Sequence, residues 1–192
     1  LFFIFSGFVM TLQRKRKINY IPTNVHNKKD AEYLILVGSE TGNTYLLARA
    51  LFDALKKAHK KVFITELNKY STFKNLKHLF ILTSTYGKGE APANSEKFLK
   101  KINTLKPTHK VEFSVIGFGS LAYPDFCQYA IDIDTVLINK SNFSQTIPIH
   151  KIHNQNYNDF LNWSFEWSKK TKIPLEINKV NKNSEKLTPF MV

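Results

Sequence analysis

The sequence predicts an α/β protein built on a doubly wound, five-stranded parallel sheet with helices on both faces. Three observations predict it. Short apolar runs alternate with segments of helical spacing from Glu32 to Lys170. Several of the runs are continuous rather than alternating, as expected of strands buried on both faces. Residues suited to ligand binding also cluster after the first, third and fourth runs, where the carboxyl ends of parallel strands lie together.

The elements follow in order. Tyr33–Val37 ("YLILV") is a buried strand, and Tyr45–Lys57 is a helix with Leu47, Leu51 and Leu55 on one face. Lys61–Leu67 is a second strand and "LFILTS", from Leu79, a third. Ser95–Leu105 is a helix, Val111–Gly119 a fourth strand and Phe126–Leu137 a helix. Gln145–Ile149 is a weaker fifth strand. Tyr157–Lys170 closes the pattern as an amphipathic helix with Phe160, Leu161, Trp163 and Trp167 directed at the core.

Composition narrows the function classes. With 43% apolar and 22% charged residues, the 192-residue chain is globular and long enough for one domain with a real core. Its single cysteine, Cys127, excludes an internal disulfide and a cysteine metal cluster. It reads as a small buried residue at a helix start. The histidines, among them His150 and His153, show no metal-ligand spacing and read as surface or loop residues. A net charge of +13 suits an acidic partner. The lysines, however, sit at the ends of apolar segments, and no zinc-finger or RNA-recognition motif accompanies them. They read as solvated faces, and nucleic acid is not expected as a partner.

The chain opens with "LFFIFSGFVMTL" followed by "RKRK", Arg14–Lys17. Positive charge after an apolar run is the reverse of a secretory signal. It matches the end of a transmembrane helix and its cytoplasmic flank. Residues 1–13 therefore read as the end of a truncated membrane span and 14–30 as a basic juxtamembrane linker. An apolar terminal element docked on the domain is the other reading. Residues 31–172 form the domain, and 173–192 a linker toward a further module.

Three loops carry the chemistry. "GSETGNT" (Gly38–Thr44) joins a strand to a helix N-terminus and offers hydroxyls and backbone N–H groups to an anion, without the lysine of nucleotide hydrolases. Such residues also make ordinary helix caps. "TSTYGKGEAPAN" (Thr83–Asn94) and "GFGSLAYPDFC" (Gly117–Cys127) each pair two glycines with a tyrosine. Glycine permits close backbone approach, and tyrosine can stack on a ring. Tyr86 and Tyr123 are thus placed to bracket a flat heterocycle whose phosphate sits in the first loop.

In their order and residues the three loops resemble those of the FMN-binding, flavodoxin-like domain of diflavin reductases, the family of the sulfite reductase flavoprotein and cytochrome P450 reductase. The resemblance covers roughly Tyr33 to Lys170. It implies that Ser39, Glu40, Thr41, Gly42, Asn43 and Thr44 hold the FMN phosphate. It implies that Ser84, Thr85, Tyr86, Gly87 and Gly89 line the flavin, with the Gly87 carbonyl facing N5–H of its reduced form. Gly117, Gly119, Ser120, Tyr123 and Phe126 would complete the site. The resemblance names no catalytic residue and no metal.

It also implies an FAD/NADPH reductase module as electron donor, carried outside this chain, and a redox acceptor such as a haem, iron or a membrane component. With the apolar N-terminus, the arrangement resembles bacterial membrane-anchored reductases. In these, PepSY-type transmembrane regions precede flavodoxin and reductase modules at the cytoplasmic face of the inner membrane. A freestanding flavodoxin carrier, or a flavin-free docking module of the same fold, are the other readings. The sequence departs from the family at Lys88, where a carboxylate is common, and in "HKIHNQNYND", to which no role transfers.

Overall fold

A computed structural model describes residues 21–177. Four strands and three helices follow one another in the order the apolar pattern predicts, with only a 3-10 turn at Leu67–Lys69 between the second and third strands: β1 (Tyr33–Gly38), α1 (Asn43–Lys57), β2 (Val62–Glu66), β3 (His78–Ser84), α2 (Phe98–Thr104), β4 (Val111–Gly119) and α3 (Gln128–Ile138). Two short strands, β5 (Phe143–Gln145) and β6 (His150–His153), precede the last helix, α4 (Tyr157–Thr171). All pairings are parallel, in the order β2-β1-β3-β4-β5, with β6 also on β4.

Period-two geometry sorts the strand residues into two cores. Leu34, Leu36, Leu79, Ile81, Phe113 and Val115 face α2 and α3 through Phe98, Ile102, Ile133 and Leu137. Ile35, Val37, Phe80, Leu82, Ile116 and Phe118 face α1 and α4 through Leu51, Leu55, Phe160, Trp163 and Trp167. Helices thus cover both faces, so the strands are apolar throughout. Leu161 lies at the edge of this packing and is only half-buried.

The fifth strand position differs from its expectation. Gln145–Ile149 straddles a break: β5 pairs with Val111–Phe113 and β6 with Ile116–Gly119. Residues 146–149 between them leave the ladder. Pro148 in that interval has no N–H to donate. His150 and His153 accordingly lie in a strand, not in a loop.

Helix starts also shift. α2 begins three residues later than its apolar spacing suggests, because Ser95 is fully buried in the preceding turn. α3 begins after Cys127, whose φ of 58° is outside the helical region. α4 is capped by Asn156, whose side chain accepts from the N–H groups of Asn158 (2.9 Å) and Asp159 (3.3 Å).

Both flanking segments expected as linkers pack on the domain where they are described. The Asn24 side chain accepts from Ile64 N at 2.8 Å and donates to Ile64 O at 3.0 Å, occupying the open edge of β2. Ile173, Leu175 and Ile177 pack against the α1/α4 core. The expected span (1–13), the first part of the basic linker and residues 178–192 lie outside the described residues. No helix among the described residues is long and apolar enough to cross a membrane.

Candidate functional site

The strand order puts β1 next to β3 and β3 next to β4, so the three loops leave one edge of the sheet side by side. The chain winds outward in opposite directions from β1 and β3, which opens a crevice between their carboxyl ends.

The first loop turns tightly into α1. Ser39 is buried, and its Oγ accepts from Gly42 N at 3.0 Å. Gly42 stands at the N-cap with φ 95° and ψ −15°, a left-handed conformation that a Cβ would disfavour. No side chain caps α1 and its first turn carries no acid. The positive end of this 15-residue helix is therefore left without a counter-charge of its own. Thr44 in that first turn is 1% exposed, yet its Oγ1 has no protein partner. Thr41 and Asn43 are exposed at the turn. Glu40 turns toward the second loop, where Oε2 accepts from Ala93 N at 3.0 Å.

The second loop is a small hairpin. Tyr86 and Glu90 exchange two backbone hydrogen bonds, of 2.9 and 2.7 Å, around Gly87, Lys88 and Gly89. Gly87 (φ 51°) and Gly89 (φ 87°) supply the left-handed turns that close it. Thr85 N donates to Phe118 O at 3.0 Å, which fixes the hairpin to β4. The buried Thr85 Oγ1, like that of Thr44, has no partner. Ser84 ends β3, with its hydroxyl 3.5 Å from the Gly38 carbonyl.

In the third loop, Ser120 Oγ accepts from Ala122 N at 3.3 Å and Ser120 O from Tyr123 N at 3.1 Å. Tyr123 and Tyr86 are 62% and 54% exposed, so each offers a ring face at the mouth of the crevice. Phe126 is half-buried, with the Lys151 ammonium 5.9 Å from its ring centroid and the His153 ring beside it. Gly117 and Gly119 lie in β4 against α3. A Cβ at Gly117 would fall 2.7 Å from that of Ala130. Helix packing alone therefore requires a glycine there. Cys127 is buried, and desolvation raises its thiol to about 11, which leaves it unreactive.

The residue that joins the first two loops is Asn94. Its Oδ1 accepts from Ser39 N and from Ser95 Oγ, both at 3.0 Å. Its Nδ2 donates to Tyr45 OH at 2.8 Å and to Val37 O at 3.3 Å. Tyr45 in turn donates to Glu66 Oε1 at 3.1 Å. Burial and the Glu66 charge raise the phenol well above its ordinary value, so it stays a donor. Asn94 closes the quoted second-loop motif, but nothing in the sequence marked it as a linchpin. His153 was missed in the same way: its Nδ1 accepts from Leu121 N at 3.0 Å and steadies the third loop.

A family model for flavodoxin matches residues 35–167. The chain belongs to the flavodoxin family. It is 41% identical over 102 residues to the inducible nitric oxide synthase of Canis lupus familiaris, covering 52% of this chain and 9% of that protein. It is 36% identical over 97 residues to that of Carassius auratus, covering 50% of this chain and 59% of that sequence. The chain thus spans about a tenth of the length of most of the curated relatives it matches.

Among solved structures, a Streptococcus pneumonia TIGR4 flavodoxin aligns with TM-score 0.61 and 22% identity, over 73% of this chain and 95% of that one. An oxidised flavodoxin 1 from Bacillus cereus aligns with TM-score 0.61 and 14% identity, over 71% and 97%. These two show the fold. A flavodoxin domain is of the FMN-binding, electron-transfer kind. The residues present fit that group. An uncapped helix N-terminus and the Thr44 hydroxyl suit its phosphate. The Thr85 hydroxyl and two exposed tyrosines suit its ring.

Proposed function

We propose that this chain is the FMN-binding module of a diflavin-type reductase, relaying electrons from an FAD/NADPH module to a redox acceptor. The observation that carries FMN binding is that two of the five buried side-chain polar atoms without a protein partner among the described residues, Thr44 Oγ1 and Thr85 Oγ1, fall in the first turn of α1 and just after β3, within the candidate loops; Thr146 Oγ1, Tyr157 OH and Trp163 Nε1 lie elsewhere. Buried polar groups are nearly always paired, and an unpaired one marks a ligand or water. FMN, when bound, supplies the redox chemistry. The protein's part is to hold the phosphate on the first loop, present Tyr86 and Tyr123 to the ring, and keep one edge open.

Order and spacing of the three loops support the diflavin reading. So does similarity to a small part of much longer enzymes, as one module among several would show. The finer assignment is to a membrane-anchored reductase of the PepSY type at the cytoplasmic face of the inner membrane. It rests on the apolar run 1–12 and Arg14–Lys17.

The test is the absorption spectrum of the purified chain, with FMN titration of the apoprotein. Yellow protein holding one FMN per chain is expected. Colourless protein that takes up no FMN overturns the reading. For the anchor, the native protein should stay in the membrane fraction after a high-salt wash; release into the soluble fraction overturns it.

A further inference from the structure

The end of the domain opposite the candidate flavin loops is strongly basic. Because the sheet is parallel, the strands start side by side: Tyr33 is in register with Val62 and His78, and His78 with Glu112. Backbone bonds from Lys77 N to Glu32 O (2.7 Å) and from Glu112 N to Lys77 O (2.9 Å) knit the entering segments together. Helices running back along the sheet end there too.

Lysines gather on every segment that reaches this end. They precede β1 (28 and 29), end α1 (56 and 57), precede β2 (60 and 61), β3 (74 and 77) and β4 (106 and 110), and end α4 (169 and 170) or directly follow it (172). Lys28, Lys29, Lys74 and Lys106 line one open cleft of about 740 Å³, with Asp30 as its carboxylate. Of the other acids nearby, Glu32 is paired with Lys77 at 3.1 Å and Glu112 faces His78 at 3.5 Å. Helix dipoles account for Lys56, Lys57, Lys169 and Lys170 in last turns. They do not account for the lysines of the entrance loops. At the flavin end, by contrast, Glu40, Glu90 and Asp125 stand with Lys88 and Lys151.

We infer that this basic end is a docking surface for an anionic lipid bilayer. Its charges are lysines on flexible stems, spread over several segments rather than converging on one point. That suits a diffuse, fluid negative surface. Single-stranded nucleic acid is held by basic grooves combined with stacking aromatics. At this end Phe63 is half-buried against Phe73, with the Lys28 ammonium 6.0 Å from its ring centroid, and Phe73 is 4% exposed; the exposed aromatics among the described residues, Tyr86, Tyr123 and Phe165, lie outside these lysine segments. Arg14–Lys17 adds four further charges shortly before Ile21 in the chain. Docked this way, the domain turns its flavin loops away from the bilayer, toward partners in solution. The inference concerns folded residues, goes beyond an N-terminal anchor and does not depend on FMN binding.

The test uses the full chain with vesicles of phosphatidylcholine alone or mixed with phosphatidylserine. Two double variants carry the same change in charge: Lys74→Glu with Lys106→Glu at the basic end, and Lys97→Glu with Lys100→Glu at the start of α2. The first pair should lower partition onto phosphatidylserine vesicles about tenfold or more, and the second by less than about twofold. Binding to pure phosphatidylcholine should not change in either. Equal losses in the two pairs would reduce the effect to net charge and overturn the surface. Tighter binding to duplex DNA than to the anionic vesicles, lost in the first pair, would overturn it in favour of nucleic acid. Displacement from vesicles by micromolar inositol hexaphosphate would overturn it in favour of a discrete anion site. Circular dichroism of each variant checks that it is folded.

Discussion

Asn94 Nδ2 donates to the hydroxyl of Tyr45 at 2.8 Å, joining residues 49 positions apart in the chain. The same side chain holds the N–H of Ser39 through Oδ1. One amide thus sets the distance between the Gly38–Thr44 loop and the hairpin that carries Tyr86. Asn94→Ala should lower stability by about 1–2 kcal/mol, since several partners lose a partly buried bond together. It should weaken FMN binding about tenfold through the displaced first loop. Thermal unfolding and fluorimetric FMN titration check both; unchanged affinity would confine Asn94 to a structural role.

The two unpartnered hydroxyls of the candidate loops, Thr44 and Thr85, make a prediction of opposite sign for apoprotein and holoprotein. Thr44→Val and Thr85→Val replace an unsatisfied buried O–H by a methyl of similar shape. Neither should destabilise the apoprotein, and each could gain up to about 1 kcal/mol. If Thr44 Oγ1 donates to the FMN phosphate, as proposed, affinity should nonetheless fall about tenfold or more in Thr44→Val, because a bond to a charged group is lost. Apoprotein melting and FMN dissociation constants, measured side by side, separate the two effects.

Gly87 is tested through the hairpin. Its φ of 51° disfavours any side chain, and a Cβ would lie 2.9 Å from Glu90 Oε2. Gly87→Val should cost about 1–2 kcal/mol of stability. If its carbonyl accepts from N5–H of the reduced flavin, the variant should also bind reduced FMN less well than oxidised FMN. The midpoint potential of the two-electron couple would then become more negative. A reductive titration reads this directly, and an unchanged potential removes the N5–H role.

His78 makes stability depend on pH. It is 2% exposed, with Nε2 accepting from Trp167 Nε1 at 3.3 Å. Burial pushes its pKa below the ordinary 6.5, against the pull of Glu112. The folded state therefore binds fewer protons than the unfolded chain below that value. The contribution of neutral His78 is complete above about pH 6.5 and is lost as pH falls through the depressed folded value. Urea unfolding should show stability declining from about pH 6.5 downward, and His78→Gln should flatten that decline.

Much of the fold was legible because its signals are local. Leu47, Leu51 and Leu55 repeat at helical spacing, and "YLILV" and "LFILTS" announce strands buried on both faces. The site motifs were legible for the same reason. Gly42, Gly87 and Gly89 are needed by backbone angles that a short stretch of chain sets for itself. The fifth strand was misread because Thr146–Ile149 is apolar enough for a strand, yet Pro148 cannot donate to the ladder. Pairing with β4 resumes only at His150.

The sequence by itself determined the layer architecture, the three loops and the residue types offered to a ligand, since periodicity and turn chemistry act over a few residues. Only the tertiary structure decided which of those groups meet. It assigned Gly117 to helix packing, Asn94 and His153 to loop support, and Thr44 and Thr85 to unsatisfied burial. It also turned lysines scattered along the chain into one basic end. Parallel strands bring every entering segment to the same side, whatever their separation in sequence.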